Sequence, residues 1–171
     1  MSDRGIERIS PRQWAAQGRL LQMSLPLSGM ARLVASTRAV EGDAQIDLCF
    51  SMDEERRAII RGSVSALVVL QCQRCLGELR VRLVTDTALA VVVSEDQARQ
   101  LPESYEPLVL SEESVSLNEL VEDELLLSLP AFPVHQEGDC KAPEFSSEAS
   151  EESPVRENPF AVLADLKNRL Q

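Results

Sequence analysis

The sequence predicts an α+β fold: an antiparallel β-sheet or partial barrel with short N-terminal helices, one packed helix and a separate C-terminal helix. Two observations lead there. Residues 45–52, 58–71 and 79–93 are alternating or Val- and Leu-rich runs joined by polar turns, so an antiparallel meander is the simplest topology. A capped amphipathic stretch, Leu117 to Leu129, then follows the strands. The chain has 171 residues and is 44% hydrophobic, enough for a core domain of about 100–130 residues. Aromatics are only 4%, so that core rests on Leu, Val, Ile and Ala.

From the N-terminus, Ser10-Pro11 reads as an N-cap with proline at the first helical position, opening a short helix through Trp14 that Gly18 ends. Leu20 to Leu25 reads as a strand closed by Pro26, and Ser28 as the cap of a second short helix holding Met30, Leu33 and Val34. In residues 45–52, Ile46, Leu48, Phe50 and Met52 share one face, and Gln45, Asp47, Cys49 and Ser51 the other, the pattern of a half-buried strand. Asp53 to Arg56 is a polar turn. Ala58 to Gln71 is a long strand with Gly62 as its expected bulge, and Leu79 to Val93 is another. After a loop from Leu101 to Pro107, Leu108 to Leu110 reads as a short edge strand. Ser116 and Glu119 form a capping box for the Leu117–Leu129 helix, which Pro130 stops. Its acidic run, Glu119 to Glu124, reads as a solvated face, as do Glu112 and Glu113. Residues 141–158, dominated by Glu, Ser and Pro, read as a disordered acidic linker, and residues 159–171 as an amphipathic helix.

The net charge of −11 is uneven: residues 1–85 carry +3 and residues 86–171 carry −14. This argues against a broad non-specific grip on nucleic acid, which needs clustered Lys and Arg, and permits a basic protein partner. No stretch reaches the roughly 20 apolar residues of a membrane span, and the first residues lack the apolar run of a signal peptide. The expected location is therefore the cytoplasm, where closely spaced cysteines favour metal or redox chemistry over a structural disulfide.

Cys72-Gln73-Arg74-Cys75-Leu76-Gly77 falls between two predicted strands. Two thiolates at this spacing can face one ion, amides inside the turn can donate to the sulfurs, and Gly77 is suited to a positive φ. The complementary half is His135 and Cys140, the sole His and a further Cys, in the turn-rich loop after Pro130 and Pro133. Together they are a Cys3His set for a structural Zn2+ ion, with no open position for catalysis. Two other readings stay open for the pair: ordinary reduced hairpin residues, or a redox couple, although the redox motif belongs at a helix start. His135 as a plain loop histidine is open too. Cys49 reads as a small mid-strand residue.

Motifs beyond the pair carry a resemblance. Leu70 to Cys75, Leu101 to Pro107, Leu120 to Leu125, Leu129-Pro130, Pro133-Val134-His135 and Asn158 to Leu163 occur in the order seen in the YceD family, the large ribosomal RNA subunit accumulation proteins, which the chain resembles from about Leu25 onward. The resemblance divides the chain into an N-terminal extension with a short helix (1–24), a core domain (25–140), the linker (141–158) and the C-terminal helix (159–171). It implies a non-enzymatic ribosome-biogenesis factor supporting synthesis, processing or stability of large-subunit ribosomal RNA. Its expected partner is the ribosomal RNA precursor or a basic ribosomal or processing protein, with no membrane and no small-molecule substrate.

For RNA, the candidate residues are Arg74, Arg80 and Arg82 at the cysteine hairpin and Arg61 on the preceding strand, joined by Arg56 and Arg57, as one positive face. The alternative is an acidic, zinc-stabilised adaptor that binds a basic partner through Phe160 and Leu163 of the C-terminal helix. An enzyme is the least supported class. The sole His is committed to the metal set, no phosphate loop or nucleophile elbow is present, and the adjacent acids Glu122 and Asp123 point apart on a helix.

Overall fold

Alternation along residues 45–52 puts Ile46, Leu48 and Phe50 on one side of a strand, and the sheet they belong to buries that side. The computed structural model describes residues 7–136 and 138–140. Its elements run β1 (Arg8–Ile9), α1 (Pro11–Ala16), β2 (Leu20–Pro26), α2 (Ala31–Ser36), β3 (Ala39–Met52), β4 (Ala58–Gln71), β5 (Glu78–Val92), α3 (Glu95–Ala98), β6 (Glu106–Val109), β7 (Val115–Ser116) and α4 (Leu117–Leu127). Five strands form one sheet in the order β2-β3-β4-β5-β6, and β1 pairs with β7 in a separate two-stranded ribbon.

The α+β class holds, with an open sheet in place of a partial barrel. Strands β2 to β5 are an antiparallel meander, as expected, but β6 runs parallel to β5. The chain reaches it by crossing back through α3 and the 101–105 loop, an excursion that no hairpin-length turn could replace.

One face of the sheet is the core. Ile46, Leu48 and Phe50 of β3 join Ile60, Val64, Ala66 and Val68 of β4 and Leu83, Leu89 and Val91 of β5, all buried. Helix α1 covers β3 and β4, α4 covers β4 and β5, and α2 packs on α4. Trp14 of α1 meets Phe50 edge-to-face, with ring centroids 5.1 Å apart at 80°. Such a pair contributes about 1 kcal/mol beyond the area it buries. Residues 7–26, most of them in the segment set apart above as an extension, are woven into this core. Ile9, Trp14 and Leu21 are buried in it, and the Leu117 N–H donates to the Glu7 carbonyl at 3.1 Å. Residues 141–171, which include the expected linker and C-terminal helix, lie outside the described residues.

Several local expectations need correction. The bulge is not at Gly62 but in β3, where the register with β4 shifts between Glu41 and Gln45. Gly42 takes a φ of +73° there, so the strand begins at Ala39, through residues whose polarity hides it. Gly62 instead permits close approach of neighbouring backbone. It has a φ of +150°, and a Cβ on it would lie 1.9 Å from the Asp47 carbonyl oxygen.

Helix α2 starts after Met30 rather than at Ser28, and its first amides are capped from another helix. Glu122 of α4 accepts from the Arg32 N–H at 2.6 Å and the Leu33 N–H at 3.0 Å, while the Arg32 guanidinium reaches the other carboxylate oxygen. The acidic run of α4 is therefore not a solvated face throughout, because Glu122 and Glu124 are both buried. Ser116 does accept from the Glu119 N–H at 3.3 Å, the expected half of the capping box.

The two buried carboxylates have opposite electrostatics. Burial pushes Glu122 up, but the amide of Leu33 and the guanidinium and amide of Arg32 outweigh it, and the net is a lowered pKa. Burial also pushes Glu124 up. The hydrogen bond from the Thr87 hydroxyl opposes this and the charges of Glu106 and Asp123 add to it, so its pKa is raised.

Two sets of variants test this account. Gly62→Ala is expected to destabilise the fold by on the order of 3 kcal/mol, read by urea unfolding, because backbone must move to admit the methyl group. Glu122 contributes stability above the ordinary glutamate value of 4.5, and this is lost as pH falls through its lower folded value. The stabilising state of Glu124 is the protonated one: its contribution is full below 4.5 and lost as pH rises through its raised folded value. At pH 7, Glu122→Gln should therefore cost about 2 kcal/mol, while Glu124→Gln should be neutral or stabilising. Equal losses in the two variants would contradict this assignment.

Candidate metal centre

The long β4–β5 hairpin ends in a turn made by Cys72 to Gly77. The Cys72 N–H donates to the Gly77 carbonyl, the Leu76 N–H returns to the Cys72 carbonyl, both at 2.9 Å, and the Gln71 amide holds the Leu76 carbonyl at 3.1 Å. The positive φ of this turn falls on Leu76, at 60°, and not on Gly77 as expected. A Cβ on Gly77 would stand 3.4 Å from the Cys75 sulfur, so the glycine's small size keeps the space beside the thiol open.

The loop after α4 comes back to this turn. The chain bends at Ala131 and Phe132, between Pro130 and Pro133, and the Pro133 carbonyl accepts from the Gln73 N–H at 2.8 Å. The Asp139 N–H then donates to the Gln136 carbonyl at 3.2 Å, Gly138 has a φ of +96°, and Cys140 arrives at the hairpin.

The structure brings all four predicted ligands together: Cys72, Cys75, His135 and Cys140 place their ligating atoms within 4.8 Å of one another. The Cys72 and Cys140 sulfurs are 3.8 Å apart, and Cys75 Sγ is 3.4 Å from His135 Nδ1. A tetrahedral ion with metal–sulfur bonds of about 2.3 Å and metal–nitrogen bonds of about 2.0 Å requires separations of about 3.8 and 3.5 Å. His135 Nε2 lies 2.9 Å from the Glu78 carbonyl, which can only accept. The Nε2 proton is thereby fixed, and the Nδ1 lone pair faces the thiols. The group can hold a metal ion with four protein ligands.

Thiol electrostatics differ across the cluster. Cys72 is pulled down to about 5, chiefly by the Cys75 amide against the opposing effect of burial, with the amides of His135 and Arg74 adding. Cys140 is pushed up to about 11 by burial and by the neighbouring Cys75 and Cys72 sulfurs. One ligand is thus a thiolate at neutral pH and another must lose its proton to bind.

The arginines do not form the single positive face expected of them. Arg74 is exposed in the hairpin turn, and Arg80 and Arg82 are exposed on β5, where Arg80 is paired with Glu41 at 3.0 Å. Arg61 lies on the same face of the sheet, but Arg80 stands opposite Val69, eight residues along β4 from Arg61, or about 26 Å. Asp47 and Asp86 flank Ser63 on that face between them. Arg61 instead donates to the Tyr105 hydroxyl at 3.0 Å, and Arg57 is paired with Asp53 and Glu55. Phe160 and Leu163 lie outside the described residues. What sequence reading missed at the metal centre are two carbonyl acceptors, those of Glu78 and Pro133, and main-chain carbonyls carry no residue-type signal.

The family model for large ribosomal RNA subunit accumulation protein YceD matches residues 60–167, a span that includes all four clustered ligands. A curated protein of that name from Haemophilus influenzae is 37% identical over 144 residues, covering 82% of this chain and 83% of its own length. No solved structure matches the chain. Among the described residues, no helix is long and apolar enough to cross a membrane.

Because Cys140 must release a proton, metal affinity should rise by about tenfold or more per pH unit between pH 6 and 8. Competition with a chromophoric chelator across that range measures it, and a flat profile would mean that Cys140 does not ligate.

Proposed function

The chain belongs to the YceD family, and from that premise we propose that it supports the accumulation of large-subunit ribosomal RNA as a non-enzymatic factor stabilised by zinc. The observation that carries the reading is the 37% identity, over most of both chains, to a relative named for that role.

The chemistry of the ligand set favours Zn2+: three thiols and one imidazole at tetrahedral spacing suit a borderline-soft ion without redox demands. Four protein ligands leave no open position for water or substrate, so the ion is structural. Its place explains its use. Among the described residues, and apart from the ligating atoms, the loop after α4 meets the hairpin through the backbone bond from Gln73 to Pro133, the bond of His135 Nε2 to the Glu78 carbonyl and a weaker contact of the Gln73 amide with Ala131. An ion binding Cys72 and Cys75 on one side and His135 and Cys140 on the other would clamp the two segments. The working compartment is the reducing cytoplasm, where these thiols stay available for metal.

Depleting the protein in its native cell should lower large-subunit relative to small-subunit ribosomal RNA, read by quantitative hybridisation. The wild-type chain should restore the ratio, and the Cys72→Ser, Cys75→Ser double variant should restore it poorly. Elemental analysis should find about one zinc per chain in the parent and much less in that variant. An unchanged RNA ratio on depletion would remove the functional reading, and a metal-free parent protein the zinc.

A further inference from the structure

The end of the sheet farthest from the metal centre has a cleft of about 400 Å³ that the metal does not use and that, of the predicted RNA residues, only Arg56 and Arg57 line. Its polar lining comes from three segments, Arg12 from α1, Glu55, Arg56 and Arg57 from the β3–β4 turn, and Gln97 and Gln100 from α3 and the residues after it, over a floor that includes Val91 and Val92 of β5. From the start of β4 here to Cys72 is the length of the strand, roughly 45 Å.

We propose that this cleft is an RNA-binding site that takes the phosphodiester backbone; the choice of RNA over other phosphate esters rests on the family reading above. The first argument is chemical. Three arginines line it; Arg57 is already paired with Asp53 at 2.7 Å and with Glu55 at 3.0 Å, which leaves the guanidinium groups of Arg12 and Arg56. Among the described residues, Arg12 and Arg56 have no acidic partner within 4.0 Å. The Gln97 side-chain oxygen is occupied by the Val93 N–H at 3.1 Å, which leaves the Gln97 amide N–H groups as donors. A donor-rich rim with forked guanidinium groups suits phosphate oxygens.

The second argument is conformational. Arg56 is one of only two non-glycine residues with positive φ among those described, at 60°. The turn is locked from below: Asp53 accepts from the Glu55 and Arg57 amides at 3.0 and 2.8 Å, and the Arg56 N–H donates to the Asp53 carbonyl. A position that favours Gly or Asn holds a long cation and aims its chain at the cleft. The third is electrostatic. In a chain of net charge −11, two neighbouring guanidinium groups without an acidic partner give a polyanion a preferred point of approach, where most of the surface repels it.

Binding of a labelled single-stranded RNA oligonucleotide to the full chain, measured against salt, tests the proposal. The Arg12→Gln, Arg56→Asn double variant should weaken binding by about tenfold or more at 0.1 M salt and flatten the slope of log affinity against log salt by about 1.4. Arg56→Asn alone should keep or raise Tm while weakening RNA binding, since asparagine relaxes the positive φ. That split would not arise if Arg56 were merely structural. Excess inorganic phosphate or mononucleotide should compete only weakly.

Four results would overturn the cleft assignment: no RNA binding by the parent chain; a double variant that binds like the parent; loss of binding on Arg80→Gln, Arg82→Gln but not on the cleft variant; or loss of an acidic protein partner with RNA binding intact. If depletion still lowers the ribosomal RNA in any of these cases, the family reading stands and only the cleft assignment falls.

Discussion

The antiparallel ladder between β4 and β5, paired from Ile59–Ala90 to Gln71–Glu78, is the constraint on which the rest of the molecule depends. Side chains alternate with a period of two, so slipping this ladder by one residue would exchange the buried Val64, Ala66 and Val68 for the polar Ser63 and Ser65 and the exposed Leu67. The same register decides where the ends go. One end presents Cys72 and Cys75 to the loop that follows α4. The other sets Arg57 and Arg61 beside Tyr105, with ring distances of 5.7 and 5.2 Å. Two chemically different regions are thereby kept a strand's length apart on one rigid element.

Helix α4 ties the layers over this ladder together, and it does so with acids as well as leucines. Leu117, Leu120, Val121 and Leu125 pack into the core. Glu122 spans to α2 and satisfies amides at that helix's start, in a place where a buried carboxylate would otherwise be costly. Glu124 points to Thr87 on β5 and has no cation among its hydrogen-bonding partners. Two glutamates two positions apart thus act in opposite directions, one stabilised as an anion and one as an acid. What separates them is whether backbone amides and a guanidinium converge on the carboxylate.

The four-ligand cluster works on the same logic of distant segments. The hairpin turn supplies two ligands as a unit, preset by its own hydrogen bonds, and the loop after α4 supplies two more. The imidazole is oriented by a main-chain carbonyl before any ion arrives. Preorganisation of this kind suits a structural ion, because little chain entropy remains to be lost on binding.

Much of this was legible in the sequence. Strand alternation in β3, the Val- and Leu-rich runs of β4 and β5, the capped start of α4 and the Cys3His set all follow from local periodicity and from residue types that have few other uses together. What the sequence did not disclose came from pairing across long separations. The parallel β6, the bulge at Glu41 to Gln45, the burial of Glu122 and Glu124, and the splitting of the arginines between two ends of the sheet each depend on a register or a partner tens of residues away. Period and capping are properties of neighbouring residues, so a linear reading can find them. Which carboxylate meets which amide is settled only when the strands are aligned and the helices have docked.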